Sequence, residues 1–195
     1  MAIGGSEMVL VERLGGGSGA RGVALRAALV ALGVLVLALS AKIAVPMWPV
    51  PITMGTFAVL TLGAAYGPGL GLATILAYLG MGALGADVFQ GSGGEVTGLA
   101  YMVGGTGGYL AGYALAAVAL GLAARHGWDR SVPRLALAML IGNVLIYLPG
   151  LLWLGQIYGW DQPILAWGLW PFLIGDALKL ALAVLVVPAL WRFRA

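Results

Sequence analysis

Long apolar stretches separated by short polar segments dominate this chain from about residue 23 onward. Within most of them, apolar residues continue for about twenty positions without the alternation of a half-buried strand, which predicts helices. The second and third stretches hold roughly fifteen residues, too few to cross a hydrocarbon core of about 30 Å upright, so we expect tilted, bent or re-entrant helices there. We predict six membrane-spanning helices, at residues 23–41, 53–66, 69–84, 99–123, 135–154 and 165–191.

The composition supports a membrane protein. Hydrophobic residues make up 62% of the 195 residues and charged residues only 9%, too few to cover a water-soluble globule. Backbones in lipid are satisfied only in helices or closed barrels, and the missing alternation favours helices. We therefore expect an all-α integral membrane protein, with a flexible cytoplasmic leader at residues 1–22 and a single six-helix membrane domain at 23–195. Gly67-Pro68-Gly69 predicts a chain reversal between the second and third spans.

The arginines set the predicted orientation. With six spans, all eight fall on one side of the membrane, which the positive-inside rule assigns to the cytoplasm together with both termini. Five spans would place the C-terminal arginines outside. The net charge of +3 reflects this topology, so we expect no nucleic-acid partner. The arginines are Arg13, Arg21, Arg26, Arg125, Arg130, Arg134, Arg192 and Arg194, and the outer connections hold Lys42, Asp87, Glu95 and Asp161.

Two opposite charges, Asp176 and Lys179, lie three residues apart inside the last apolar stretch. Each costs about 2.5–3.5 kcal/mol at the centre of a membrane helix, so their presence needs a reason. At this spacing both side chains project from one helical face. They can converge on a polar ligand, or they can form a mutual ion pair that only fixes helix packing. We favour the ligand.

Small residues predict helix contacts. Gly104, Gly108, Gly112 and Ala116 place a small residue at every fourth position of the fourth span, which is typical of close packing within one chain. In the first span, alanines spaced by four residues form a smooth face where a partner helix can dock, and we assign the partner contact to Ala27 and Ala31.

Polar residues suggest further contacts. The outer connection at residues 85–98 is long and glycine-rich, and it either closes over a pocket entrance or is a plain solvated loop. Asn143 and Tyr147, one turn apart in the fifth span, serve either a ligand or interhelical hydrogen bonds.

Several kinds of chemistry find no support in the chain. It contains no cysteine, and its one histidine, His126, sits in a basic loop, so we expect no disulfide, metal site or cofactor. Neither a phosphate-binding loop with its lysine nor a nucleophile elbow is present. We expect a protein that is not an enzyme and that needs other subunits if it performs active transport.

Three segments carry a resemblance to a known family. Residues 45–53 (Val-Pro-Met-Trp-Pro-Val-Pro-Ile-Thr) are similar to a Pro-Val-Pro-Met-Thr segment, and residues 104–110 (Gly-Gly-Thr-Gly-Gly-Tyr-Leu) to a Gly-Pro-Thr-Gly-Gly-Tyr signature. Residues 175–179 match a Gly-Asp-x-x-Lys motif. In this order over about 150 residues, they resemble the BioY family, the biotin-specific substrate-binding (S) components of energy-coupling-factor vitamin transporters.

The resemblance implies a six-helix fold that binds biotin near the outer face. Asp176 and Lys179 fall on polar ligand-binding positions, where a carboxylate accepts from ureido N–H groups and an ammonium donates to the carbonyl or pairs with the ligand carboxylate. Further ligand contacts are expected from Thr53, Phe89, Gln90, Tyr109, Asn143 and Tyr147, and the apolar walls from Trp48, Phe89, Tyr101, Tyr109, Tyr147 and Trp170. Pro171 is expected in the first turn of the last helix.

The chain also departs from the family pattern. Gly55 stands where glutamine is usual, Gly105 replaces the signature proline, and Asp87 stands where proline is common. The family's loop arginine has no counterpart at residues 91–98, which leaves open what contacts the biotin carboxylate. Lys42 is one candidate, and it can equally face the headgroup region.

The resemblance implies partners: biotin, membrane lipid, a transmembrane coupling protein and two ATPase subunits, in a bacterial cytoplasmic membrane. Self-association stays open. Three alternatives also remain: an S component for another vitamin such as thiamine or riboflavin, an intramembrane enzyme that uses Asp176 as acid or base, and a purely structural membrane scaffold, which the charges within a span disfavour.

Overall fold

The computed structural model of the chain is a bundle of helices with one short pair of strands. It describes Val9, residues 19–92, Gly94 and residues 96–192, with residues 186–192 described by their backbone alone. Arg13, Gly93, Glu95, Arg194 and the leader glycines at 15–17 lie outside the described residues, as does the side chain of Arg192. The elements are α1 (Ala20–Lys42), β1 (Ala44–Val45), β2 (Ile52–Thr53), α2 (Gly55–Ala83), α3 (Gly98–Met102), α4 (Gly107–Arg125), a 3₁₀ turn (Trp128–Arg130), α5 (Val132–Tyr158), α6 (Ile164–Gly168) and α7 (Trp170–Arg192).

Helix α2 reverses direction at Gly67. This glycine has φ 75° and ψ 176°, and Pro68 follows it, so the helical hydrogen bonding is interrupted there. A β-carbon on Gly71 would lie 3.6 Å from the Gly63 Cα, whereas residues eight apart in one helix are separated by about 12 Å. The two limbs of α2, at residues 55–66 and 68–83, therefore run antiparallel. This confirms the reversal predicted at Gly67-Pro68-Gly69.

Five helices in the described part of the chain are long and apolar enough to cross a membrane. They are α1, α2, α4, α5 and the stretch Ile164–Leu185, which combines α6 with most of α7. The predicted class, an all-α multi-pass membrane protein, is confirmed. The count of six crossings, the side of the termini and the flexible leader stay predictions. The two-residue pairing of β1 with β2, antiparallel with Ala44 opposite Thr53, was not predicted.

Two predicted spans were wrong in their outer parts. The fourth, at 99–123, is interrupted between α3 and α4, where Gly104 and Gly105 have low helical propensity. There the Trp153 indole donates to the Gly104 carbonyl over 2.9 Å, which holds the irregular backbone in place. The sixth span breaks at Leu169, with φ −130° and ψ −63°. Pro171 then lies in the first turn of α7, as predicted.

Glycines bring α4 into close contact with its neighbours. A β-carbon on Gly112 would lie 2.6 Å from the Ile146 Cα, and one on Gly108 would overlap the Pro149 carbonyl, so α5 packs directly on this stripe. A β-carbon on Gly63 of α2 would lie 3.0 Å from the Ala117 Cα, so α2 also approaches α4 closely. The prediction that the small-residue stripe of the fourth span mediates packing within the chain is confirmed.

The two ends of the bundle differ in charge. At one end, Gly121 of α4 packs against Pro68 at the α2 reversal, and Val9 is fully buried against Gly67. Three arginines lie at this end: Arg125 is the last residue of α4, Arg130 ends the 3₁₀ turn, and Arg134 lies in the first turn of α5. The opposite end contains the end of α1, the β1–β2 pair, the connection after α2 and α6. A cavity opens there.

Candidate ligand-binding site

A small cavity lies between the ends of most helices, opposite the arginines. The centre of a water molecule can reach about 60 Å³ of it, and one water needs about 10–15 Å³ of such space, so it holds on the order of five waters. Both limbs of α2 contribute to it, Thr56 from the first and Tyr78 from the second, because the reversal at Gly67 returns the chain to the same end. Aromatic rings form much of the wall: Tyr78, Phe89, Tyr101, Tyr109, Tyr113, Tyr147 and Phe172.

Five residues at or directly behind the inner end of the cavity are here called the polar floor: Thr53, Thr56, Tyr147 and Lys179, which line the cavity, and Asp176, which lies behind them. The Lys179 ammonium donates to the Thr53 carbonyl at 2.6 Å, to Thr56 Oγ1 at 3.1 Å and to Asp176 Oδ1 at 2.9 Å. These bonds use all three of its N–H groups. Lys179 and Asp176 are both buried, at 8% and 5% exposed. Two charges from α7 therefore connect it to the start of α2.

Asp176 lies behind the cavity wall. It accepts hydrogen bonds from the Tyr147 hydroxyl, from Thr56 Oγ1 at 3.3 Å and from Lys179. Lys179 and Tyr147 line the cavity, whereas Asp176 borders an apolar groove between α5 and α7 on the other side of Tyr147. The pair thus neutralises itself, one of the two predicted arrangements, and it does so beside a cavity. The hydrogen bonds to Asp176 hold the Tyr147 hydroxyl and the Lys179 ammonium in place beside the cavity.

Gly55 has a local reason for its small size. A β-carbon there would lie 2.8 Å from the Tyr113 hydroxyl and 3.0 Å from Thr53 Oγ1. The Gly55 N–H also donates to Thr53 Oγ1 at 3.1 Å, which fixes the entry into α2. Tyr113 therefore fills the space that a longer side chain at position 55 would need.

The connection after α2 forms the outer wall. The Phe89 ring stacks on Tyr101 with centroids 5.1 Å apart and meets Tyr78 edge-on at the same distance. It lies against Gly82, where a β-carbon would overlap the ring. Phe89 and Gln90 both line the cavity. This loop is therefore part of the cavity wall.

Polar bonds hold this loop to the end of α1. Lys42 pairs with the Asp87 carboxylate and donates to the Phe89 carbonyl at 2.7 Å. Ser92 Oγ donates to Asp87 at 2.8 Å, and the Phe89 N–H donates to Ser92 Oγ at 3.1 Å. The hydrogen bonds from Lys42 and Ser92 hold the pKa of Asp87 below its usual value. Together with Gln90, the residues Lys42, Asp87, Phe89 and Ser92 form what we call the rim.

Of the predicted ligand contacts, Thr53, Phe89, Gln90, Tyr109, Tyr147 and Lys179 line the cavity. Asn143 does not: it lies in the groove between α5 and α7, and its buried Oδ1 has no hydrogen-bond partner among the described residues.

Two predicted wall residues are also absent from the cavity. Trp48 is 67% exposed and packs against Tyr158 and Trp167, while Trp170 is 57% exposed. Their assignment to the wall was wrong, because the β1–β2 connection and the start of α7 direct these rings outward.

Sequence reasoning missed several residues that line the cavity, among them Thr56, Tyr78 and Tyr113. Tyr113 follows Tyr109 by four positions in α4, so helical spacing links it to a residue that had been identified, and Thr56 lies three positions after the identified Thr53. No comparable signal marked Tyr78. The reversal of α2 brings Tyr78 back to the cavity end of the bundle. Its hydroxyl donates there to the Val88 carbonyl at 3.2 Å.

Comparison with known proteins identifies the family. The model of the BioY family matches residues 17–195. The chain belongs to the BioY family. The resemblance drawn from the three sequence segments is thereby confirmed, and the structure brings Thr53, Tyr109 and Lys179, one residue from each segment, to the same cavity.

Individual relatives agree with this assignment. A probable biotin transporter BioY from Pyrococcus horikoshii is 38% identical over 162 residues, which are 83% of this chain and 93% of that protein. The biotin transporter BioY from Thermotoga maritima is 32% identical over 146 residues, 75% of this chain and 83% of its own. The crystal structure of the S-component for biotin from an ECF-type ABC transporter matches with a TM-score of 0.76 at 20% identity, covering 90% of this chain and 95% of that one. The BioY-family chain therefore has the S-component fold.

Proposed function

We propose that this protein is the biotin-binding subunit of an uptake system and that biotin occupies the cavity above the polar floor. The observation that supports this most is the buried Asp176–Lys179 network beside a wall of aromatic rings, in a chain of the BioY family. Aromatic walls suit the apolar bicycle of biotin, and a few fixed polar groups suit its ureido edge.

We propose that the ureido end points inward. Asp176 already neutralises Lys179, so a ligand carboxylate at the floor would meet Asp176 as a like charge, whereas a neutral ureido group would not. The ureido carbonyl can take the Lys179 N–H that Thr56 Oγ1 now accepts at 3.1 Å, longer than the other two bonds, and it can also accept a hydrogen bond from the Thr56 hydroxyl. Biotin is larger than the roughly five water molecules that this space holds, so we expect the wall residues to move when it binds.

The test is equilibrium binding of tritiated biotin to the full chain in detergent. We expect saturable binding at one site that excess thiamine or riboflavin does not displace. A co-purified molecule identified by mass spectrometry would serve as an independent measurement. Absence of saturable binding, or displacement by another vitamin, would contradict the proposal.

A matched pair of threonine variants tests the location of the site. Thr56 lines the cavity and bonds to Lys179 and Asp176, whereas Thr61 Oγ1, five residues along α2, is buried with no partner among the described residues. Thr56→Val removes hydrogen bonds to charged groups, so we expect biotin affinity to fall about 10- to 100-fold. Thr61→Val should leave affinity unchanged. Equal effects of the two would place the site elsewhere.

We further propose that a transmembrane coupling protein and two ATPase subunits energise release, in the cytoplasmic membrane. Ala27 and Ala31, both exposed on α1, are the proposed contact with the coupling protein. Leucine at both positions should prevent the complex from forming, because close helix approach needs small side chains. Ala181→Leu, at an exposed alanine of α7, is the matched control. Undiminished co-purification of the Ala27→Leu/Ala31→Leu variant would refute this contact.

We propose a transport role in preference to an enzymatic one. Asp176 accepts three hydrogen bonds and lies behind Tyr147, so its carboxylate does not face a molecule in the cavity as a general acid or base would.

A further inference from the structure

The chain has two lysines, and both are at the cavity end. Lys179 belongs to the polar floor and Lys42 to the rim. The arginines that the structure describes are at or near the opposite end of the bundle, in the first turns of α1, around the 3₁₀ turn and at the start of α5. Any cation that contacts an anionic group in the cavity must therefore come from these two lysines, as far as the described residues extend.

Every N–H group of Lys179, the lysine of the polar floor, already donates a hydrogen bond within the chain. Its three N–H groups are used by the Thr53 carbonyl, Thr56 Oγ1 and Asp176 Oδ1, and its charge is balanced by Asp176 in a buried setting. If a carboxylate displaced one of these acceptors, two negative charges would share one ammonium.

The rim lysine is also neutralised by the chain itself. Lys42 pairs with Asp87 Oδ1 and donates to the Phe89 carbonyl, and Ser92 Oγ donates to the same Asp87 oxygen at 2.8 Å. Phe89 and Gln90 line the cavity, so this pair stands at its edge. A ligand anion that reached Lys42 would approach Asp87 as well.

One uncharged polar side chain remains at the rim. The Gln90 carboxamide lines the cavity and makes no hydrogen bond with another described residue. A carboxamide both donates and accepts, so it can bond to a carboxylate, an amide or an ester. Such a contact distinguishes these groups much less than an unpaired ammonium does.

We infer that Asp87 determines specificity: by occupying Lys42, it removes charge from the recognition of the ligand's acid end, so neutral carboxyl derivatives of biotin bind nearly as tightly as the free acid. The inference rests on the proposed function and on the inward ureido orientation. It names the ligand class as biotin and its carboxyl-modified amides and esters. A site that recognised the carboxylate through an unpaired cation would lose about 10- to 100-fold in affinity for the neutral analogues.

The experiment is competition against tritiated biotin on the full chain in detergent. Unlabelled biotin, biotinamide and biotin methyl ester serve as competitors. We expect the three inhibition constants to agree within about threefold, as uncharged contacts allow. Amide and ester at least thirtyfold weaker than the acid would overturn the inference. Failure of biotin itself to bind would instead refute the proposed function.

Variants of the rim test the role of Asp87 directly. Asp87→Asn leaves Lys42 without its counter-charge, so the preference for the free acid should rise about tenfold over that of the unmodified protein. Adding Lys42→Met to Asp87→Asn should return the ratio to its original value. Asp161→Asn makes the same charge change on an exposed acid at the same end, and it should leave the ratio unchanged. An unaltered ratio in Asp87→Asn would show that Asp87 is not the determinant.

Discussion

Two lysine–aspartate pairs stand at the two ends of one cavity, and their surroundings differ. The floor pair, Asp176 with Lys179, joins neighbouring turns of α7 and has side chains 6% and 9% exposed. The rim pair, Lys42 with Asp87, joins α1 to a loop and has side chains 39% and 55% exposed. The floor pair is costly to break, because removing either partner leaves the other as a buried, unpaired charge. Water can solvate both partners of the rim pair, so breaking that pair costs less. The same combination of residue types can therefore stabilise helix packing where it is buried and, as we propose, determine ligand selectivity where it is exposed.

The largest effect is expected at the floor. Asp176→Asn keeps the shape of the side chain but leaves the Lys179 ammonium buried without its counter-charge. We expect the free energy of unfolding to fall by about 3–5 kcal/mol and biotin affinity to fall at least about 100-fold. Thermal unfolding in detergent and equilibrium binding measure the two quantities. Unchanged biotin affinity in a folded Asp176→Asn variant would show that Asp176 does not contribute to the binding site.

A double variant separates the structural contribution of the floor pair from its binding contribution. Asp176→Asn with Lys179→Met removes both charges, and replacement of a buried pair by uncharged groups is often close to neutral for stability. We expect the double variant to recover at least about 1 kcal/mol of stability over Asp176→Asn, without recovering biotin binding. Recovery of binding together with stability would mean that the pair acts only through folding.

The packing of Phe89 against Gly82 of α2 should respond at an intermediate level. Gly82→Ala puts a methyl group into the space of the Phe89 ring, and such overpacking costs about 1–3 kcal/mol. Because the ring forms part of the wall, biotin affinity should fall too. Gly80→Ala is the matched control, since a β-carbon there meets nothing within 4 Å and alanine favours the helix. Similar losses in both variants would argue against Phe89 as a fixed wall.

The smallest effect is expected at the rim, where it depends on pH. The pKa of Asp87 is lowered in the folded protein by hydrogen bonds from Lys42 and Ser92. Its stabilising contribution is therefore complete above the unfolded pKa of about 3.9 and is lost as the pH falls through the lower folded value. Hydrogen exchange at the Phe89 amide, which bonds to Ser92, should accelerate in that range. Asp87→Asn should abolish this pH dependence, and Asp161→Asn should preserve it.

The sequence predicted some parts of the site because charge in an apolar stretch is conspicuous. Asp176 and Lys179 were identifiable for this reason, and Thr53 and Tyr109 were identifiable because they belong to recognisable segments. Asn143, Trp48 and Trp170 show where the reasoning fails. In a membrane bundle both the lipid-facing and the core-facing sides of a helix are apolar, so periodicity does not reveal which face turns inward.

The breaks within the predicted fourth and sixth spans were not predicted, for a related reason. Hydropathy continues across residues 103–106 and across Leu169, and only the backbone geometry separates α3 from α4 and α6 from α7. The reversal at Gly67, by contrast, was predictable, because Gly-Pro-Gly cannot continue a helix.

The reversal of α2 at Gly67 lies at the end of the bundle opposite the cavity, and it connects two limbs that each contribute to the cavity wall. Thr56 and Tyr78 stand on antiparallel limbs that the turn connects and that also pack together at Gly63 and Gly71. Tyr78 lies about 16 Å along its limb from the turn, so tilting that limb by five degrees would move Tyr78 by about 1.4 Å relative to Thr56. A change in the angle of this turn, which Val9 contacts, would therefore change the width of the cavity at the opposite end of the bundle.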